Sequence, residues 1–226
     1  MDINGYLYKT KKEKNKMSHY TNKGLYNAYK RNNKERAEKD YYATPTVEVV
    51  NILDTLGYDF SNKTILEPCI GGGHMADGIL EYIEKSGATN VRLIGRDVQD
   101  RGYSDFNWEL EYGQDFLSDD YPDEDIDIII MNPPYSILEP FMIRALEIAK
   151  EKVIVLGRTQ ATEGSGRYEK IYKDNPFTHF YQYVDRIQCW KNGVKPTGSS
   201  AQAYGWLIWD RLEKNEKPTF NWIRRK

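Results

Sequence analysis

Residues 126–131, Ile-Asp-Ile-Ile-Ile-Met, are the strongest strand signal in the chain, and they run directly into Asn132-Pro133-Pro134-Tyr135. A strand this apolar needs cover on both faces, which is the habit of a mostly parallel sheet flanked by helices. The two prolines end it, because they cannot donate to a sheet ladder and their fixed φ makes a stiff corner. Open parallel sheets hold their ligands at the carboxyl ends of central strands, so this corner stands where a binding site is expected.

The flanking sequence repeats the alternation that such a sheet needs. Val47, Val49, Val50, Leu53 and Leu56 have helical spacing, with Pro45 suited to the first turn and Gly57 to the stop. Thr64-Ile65-Leu66 reads as a buried strand, Gly71 to Gly73 as a turn, and His74 to Lys85 as a helix closed by Gly87. Val91 to Gly95 is a second strand, and a polar, acidic stretch follows it. Past the Asn-Pro-Pro corner, Phe141 to Lys150 is helical, Val153 to Leu156 a strand, and Tyr168 to Tyr172 a short helix. Two late strands, Phe180 to Ile187 and Tyr204 to Trp209, come in succession. The expected fold is α/β: a mostly parallel, twisted Rossmann-like sheet with helices on both faces and an antiparallel hairpin at one edge.

A chain of 226 residues can bury one good core, so one domain with extensions is expected. No apolar run reaches the length of a membrane span, and the start, Met1 to Lys16, is polar and Lys-rich, which predicts a cytoplasmic protein. Cys69 and Cys189 lie far apart with no CxxC or His-rich motif, so both read as reduced thiols, with neither a disulfide nor a metal site indicated. The net charge of -2 hides an uneven division. Residues 9–39 hold eleven Lys or Arg against three Glu, residues 97–127 hold twelve Asp or Glu, and residues 150–226 hold fifteen basic against eight acidic. Two basic segments bracketing an acidic one fit a protein that meets phosphates at its ends; a solvated tail explains the N-terminal run equally well. Residues 1–38 read as a flexible basic arm, 39–212 as the folded body with mobile or recognition segments at about 158–178 and 188–202, and 213–226 as a tail.

Several residue types in this pattern carry chemistry. In Leu66-Glu67-Pro68-Cys69-Ile70-Gly71-Gly72-Gly73, glycines between a buried strand and a helix let the backbone approach a ligand, and Glu67 at the strand end can accept hydrogen bonds. No Gly-Lys-Ser/Thr follows, which argues against a phosphate-cradling NTPase loop. Asp97 comes directly after the second strand, about 25 residues beyond the glycines, where a carboxylate reaches ribose hydroxyls. Asp115 can accept from an adenine amino group while Phe116 packs on the ring. At the corner, the Asn132 side-chain oxygen and the Pro133 carbonyl are two acceptors, held rigid by Pro134, and Tyr135 can stack on an extruded base. Two such acceptors pull an aromatic amine, whose lone pair is delocalised, towards the tetrahedral geometry that attack on a sulfonium methyl requires.

Tyr41-Tyr42-Ala43-Thr44-Pro45, Ile65 to Pro68 with the glycines, Asp97, Asp115-Phe116 and Asn132 to Tyr135 together resemble the motif series of S-adenosylmethionine-dependent amino-methyltransferases. Among these the chain is most similar to the N6-adenine DNA methyltransferases, particularly short phage-type ones, over about residues 40–210 and in the motif order called gamma. The resemblance implies a class I methyltransferase that is site-specific for adenine in DNA, uses S-adenosyl-L-methionine and releases S-adenosyl-L-homocysteine. It places Tyr42, Thr44, Glu67, Pro68, Gly71, Gly73 and Asn132 at the cofactor, with Thr44 by its methionine part, Asp97 at the ribose, and Asp115 and Phe116 at the adenine ring. It places Trp190, in the loop after Asp185-Arg186, against the target base, and Ser199-Ser200-Ala201 before the last strand also looks phage-like.

Gamma-order enzymes carry a large target-recognition domain after the catalytic one, and this chain has no room for it. DNA recognition then falls to the arm, to Arg158, Arg167, Lys170 and Lys173, to Lys191 and Lys195, or to a specificity partner or second copy of the chain. Gly164-Ser165-Gly166 suggests mobility before DNA binds. Two other readings stand beside this one: a methyltransferase acting on adenine in RNA or on a protein glutamine amide, and a catalytically silent nucleic-acid-binding protein of the same fold.

Overall fold

The computed structural model describes residues 40–122, 124–198, 202–213 and 217–225. The arm at residues 1–38 and Ser199-Ser200-Ala201 lie outside the described residues. The described chain runs β1 (Tyr42–Ala43), α1 (Thr46–Leu56), β2 (Thr64–Glu67), α2 (His74–Ser86), β3 (Arg92–Asp97), β4 (Trp108–Tyr112) and β5 (Ile128–Met131). It continues with α3 (Leu138–Ile148), β6 (Lys152–Arg158), β7 (His179–Tyr183), β8 (Trp190–Lys191), β9 (Tyr204–Asp210) and β10 (Thr219–Ile223).

Eight strands form one sheet in the order β10-β7-β9-β6-β5-β2-β3-β4. All neighbours are parallel except β9, which runs antiparallel to both β6 and β7. The apolar strands alternate cleanly between two cores. Ile65, Ile128, Ile130, Ile154, Leu156, Trp206 and Ile208 face α1 and α2. Leu66, Ile129, Met131, Val153, Val155, Leu207 and Trp209 face α3. Both faces are therefore covered, as runs without polar alternation require.

The expected hairpin exists as the β7–β9 pair, but the structure seats β9 inside the sheet, next to β6. Residues 213–226, read as a tail, instead supply β10, whose register with β7 runs from Thr219↔His179 to Ile223↔Tyr183 and makes it the edge strand. That pairing depends on a partner 40 residues away, so no local pattern announces it. The acidic stretch likewise hides β4, an edge strand alternating Trp108, Glu109, Leu110, Glu111 and Tyr112. Arg92 and Arg96 of β3 hold its glutamates, at 2.5 Å for Arg92–Glu109 and 2.8 Å for Arg96–Glu111.

α1 ends where Gly57 takes a left-handed φ of 62° and its N–H returns to the Leu53 carbonyl. The carboxyl ends of β2, β3 and β5 converge on one rim, which carries Glu67, Asp97 and Asn132.

Candidate active site

The turn after β2 is built around glycine for a geometric reason. Gly71 has φ +57°, and a Cβ there would stand 2.4 Å from the Tyr41 ring. Gly73 has φ +81° and begins α2 as its left-handed N-cap. The turn is tied to β3: the Gly71 N–H donates to Asp97 Oδ2 at 2.9 Å, and the Gln99 N–H to Oδ1 at 2.9 Å. Burial pushes the Asp97 carboxyl above its ordinary range, against the lowering pull of these N–H groups and Arg101.

Two adjoining clefts open over this rim. The larger, about 570 Å³, is lined by Pro68, Asp97, Asp115, Phe116 and Asn132 among others. The smaller, about 250 Å³, is lined by Thr44, Glu67, His74, Met75 and Asn132. Tyr41, Tyr42, Cys69 and Asn132 border both, so the clefts meet at the Asn-Pro-Pro corner. Glu67 is buried with its Oε2 unpartnered, and burial first, then the charges of Asp97 and Asp77, drives its carboxyl well above the usual range. Asp115 accepts from the Leu117 N–H at 3.0 Å, and Phe116 is buried against Phe141 and Tyr121.

The segment before α1 crosses the mouth of these clefts as a strap. Its β1 pairs antiparallel with β8, Tyr42 against Lys191 and Ala43 against Trp190. The Tyr41 hydroxyl accepts from the Gly72 N–H at 2.9 Å, and Arg101 covers the Tyr41 ring at 4.5 Å. Asp40 Oδ2 accepts from the Ser136 hydroxyl at 2.8 Å, just past the corner. Asn132 points its amide into the strap: Nδ2 donates to the Tyr42 carbonyl at 2.8 Å and to Thr44 Oγ1 at 3.0 Å. Asn132 Oδ1 is left buried with no partner.

Tyr135 is half-buried, with its hydroxyl enclosed near Tyr204 and Cys189. Its ring lies 5.4 Å from that of Tyr42 and 6.0 Å from that of Tyr204, and the Arg158 guanidinium sits 4.4 Å from its centroid. Tyr42 and Arg158 thus both lie against the Tyr135 ring.

Tyr42, Thr44, Glu67, Pro68, Asp97, Asp115, Phe116 and Asn132 thus border the two clefts, above Gly71 and Gly73 in the turn. Trp190 is placed differently. Its ring meets the edge of His74 at 5.4 Å, on the glycine-turn side, while the aromatic neighbours of Tyr135 are Tyr42 and Tyr204. The antiparallel pairing of β8 with the strap carries Trp190 there.

The basic residues divide as well. Arg167 donates to the Gln160 and Glu163 carbonyls of its own loop, Lys170 pairs with Glu139 at 2.6 Å, and Lys173 with Glu169 at 3.0 Å. The 158–178 segment is folded into short helical turns at Thr159–Thr162, Ser165–Arg167 and Tyr168–Tyr172. Lys191 on β8 and Lys195 on the loop after it are both exposed. Tyr41 and Cys69, which lie inside the motif runs, border both clefts, whereas Arg101 and Tyr204 join the site with no local signal in the sequence.

This architecture is the class I S-adenosylmethionine-dependent methyltransferase fold. The type I restriction-modification methyltransferase subunit of Streptococcus thermophilus superimposes with a TM-score of 0.61 at 14% identity, over 81% of this chain and 47% of that one. A Listeria monocytogenes protein described as a class I S-adenosylmethionine-dependent methyltransferase gives 0.55 at 14%, over 79% and 63%. A Pyrococcus horikoshii protein described as an RNA methyltransferase gives 0.52 at 19%, over 77% and 89%. The chain spans about half the length of the restriction-modification subunits it resembles. No protein-family model and no curated protein sequence matches it. Among the described residues no helix is long and apolar enough to cross a membrane.

Proposed function

We propose that this chain transfers a methyl group from S-adenosylmethionine to the N6 amino group of adenine in DNA. The observation that carries the reading is Asn132 Oδ1, a buried acceptor without a partner at the corner where the two clefts meet. An orphaned buried acceptor costs on the order of 1–3 kcal/mol, a cost that is relieved when a donor arrives.

The residues fit the cofactor. Asp97 would hold the ribose, Asp115 and Phe116 the adenine ring, and Glu67 and Thr44 the methionine end, with Gly71 and Gly73 allowing the close approach. When bound, the cofactor supplies an electrophilic sulfonium methyl. The chain's own part is to hold the incoming amine: Asn132 Oδ1 and the Pro133 carbonyl accept its two N–H groups and direct its lone pair in line with the methyl. Tyr135 supports the ring of the extruded base, and Arg158, Lys191 and Lys195 meet the DNA backbone. No covalent enzyme intermediate and no metal enter this scheme. The catalytic body would extend through β10 rather than stop at residue 212, the site of action would be the cytoplasm, and sequence choice would come from the arm, the 158–178 segment or a partner.

The test is nucleoside mass spectrometry on DNA, RNA and digested protein from cells expressing the chain. N6-methyladenine in the DNA, lost in Asn132→Ala, is expected; the mark appearing only in RNA or on glutamine would move the activity to another planar amine. Purified Asn132→Ala should transfer methyl about 10²- to 10³-fold more slowly while still binding cofactor. No incorporation by the wild type on any substrate would leave a binding protein of the same fold.

A further inference from the structure

The strap does more than border the clefts. The Tyr42 carbonyl is an acceptor only, so the Asn132 atom facing it at 2.8 Å must be the amide nitrogen. Thr44 Oγ1 accepts the second N–H of the same nitrogen at 3.0 Å. With both Nδ2 protons engaged, the amide cannot flip without setting two oxygens against each other, and Oδ1 is left as the buried, unpartnered atom. Thr44 itself is 2 % exposed, and its neighbours hold it in place: Tyr41 on Gly72, Asp40 on Ser136, and β1 on β8.

We infer that Thr44 is a positioning residue for Asn132: by accepting an Nδ2–H, its hydroxyl holds the amide in the orientation that the Tyr42 carbonyl sets, so that Oδ1, and not the amide nitrogen, meets the substrate amine. This rests on the proposed methyl transfer, and it gives Thr44 a task separate from the cofactor contact that the family resemblance implies. The same hydroxyl keeps its own proton to donate, so the two tasks are compatible and are separated by measurement.

Thr44→Val keeps the shape and removes the acceptor. The expected result is a fall of about 10- to 100-fold in the single-turnover transfer rate at saturating cofactor, where a weaker hold on the cofactor no longer contributes. Thr44→Ser, which restores the acceptor, should recover the rate. In ¹⁵N-labelled protein the Asn132 side-chain amide should exchange slowly with solvent, and Thr44→Val should lose that protection. A valine variant that transfers at the wild-type rate overturns the assignment, as does one whose entire defect disappears on saturation with cofactor. If the wild type transfers no methyl at all, the functional reading fails instead. The amide exchange still decides the positioning claim, which an unchanged amide in Thr44→Val would end.

Discussion

The two ends of β6 carry one long cation each and use it in opposite ways. At the amino end, Lys152 is 7 % exposed and its Nζ lies 2.6 Å from Asp210 Oδ2 on β9, under the Tyr58 ring at 4.0 Å. Asp210 Oδ1 also accepts from the Leu212 N–H at 3.0 Å. At the carboxyl end, Arg158 lies over Tyr135 with its Nε buried and unpartnered, and among the described residues no carboxylate pairs with it. Asn132 Oδ1 and Glu67 Oε2 on the same rim are orphaned too. A satisfied buried pair adds to cooperativity of the fold, whereas unsatisfied groups are a standing cost that a hydrogen-bonding ligand or an ordered water relieves.

The hardest way to break this contrast is Lys152→Met. It strands Asp210 in the interior and should cost about 3–5 kcal/mol of unfolding free energy in urea titrations, with transfer per folded molecule unchanged. Burial raises the Asp210 carboxyl, but Lys152, Tyr58 and the Leu212 N–H outweigh it and hold the group below its ordinary range. A folded value below the unfolded one gives stability that is present above the unfolded carboxylate value and lost as pH falls through the folded value. Wild-type urea midpoints should therefore drop on acidification below about pH 4. In the methionine variant only Tyr58 and the Leu212 N–H still oppose burial, so its deficit should shrink as acid neutralises Asp210.

Glu67→Gln sharpens the other side of the comparison. The Glu67 carboxyl keeps its proton to unusually high pH because it is buried beside Asp97 and Asp77. A cationic amino group from the cofactor would favour the ionised form, so binding should release a proton and tighten as pH rises towards the raised value. Calorimetric titration with S-adenosylhomocysteine in buffers of different ionisation enthalpy measures that proton. The glutamine variant should bind more weakly and with no pH dependence from this site; an unchanged pH profile would remove Glu67 from the cofactor's amino end.

Arg158→Ala should show the smallest effect. If Arg158 meets a phosphate as proposed, its loss predicts a few-fold weaker affinity for DNA and a salt slope smaller by about one, read by fluorescence anisotropy across a salt series. Its stability should stay within about 0.5 kcal/mol of wild type, unlike that of Lys152→Met.

Most of the central sheet was legible because β2, β3, β5, β6 and β9 are apolar on both faces, and a buried parallel strand has few other ways to read. β4 and β10 were not, since an edge strand needs apolar residues on one face at most and both are mixed with charge or polar residues. The residues around the clefts were legible as types at strand ends. Trp190 was not, because its place depends on which strand β8 chooses to pair with, and that partner, β1, lies almost 150 residues earlier.

The sequence alone determined that Asn132 and Glu67 would stand at the ends of buried strands, because a proline directly follows each of them after an apolar run. Only the tertiary structure decided which way the Asn132 amide faces, since that follows from a carbonyl and a hydroxyl about 90 residues away. Local propensity places a side chain on an element, but the orientation of its polar atoms belongs to whatever the fold brings opposite.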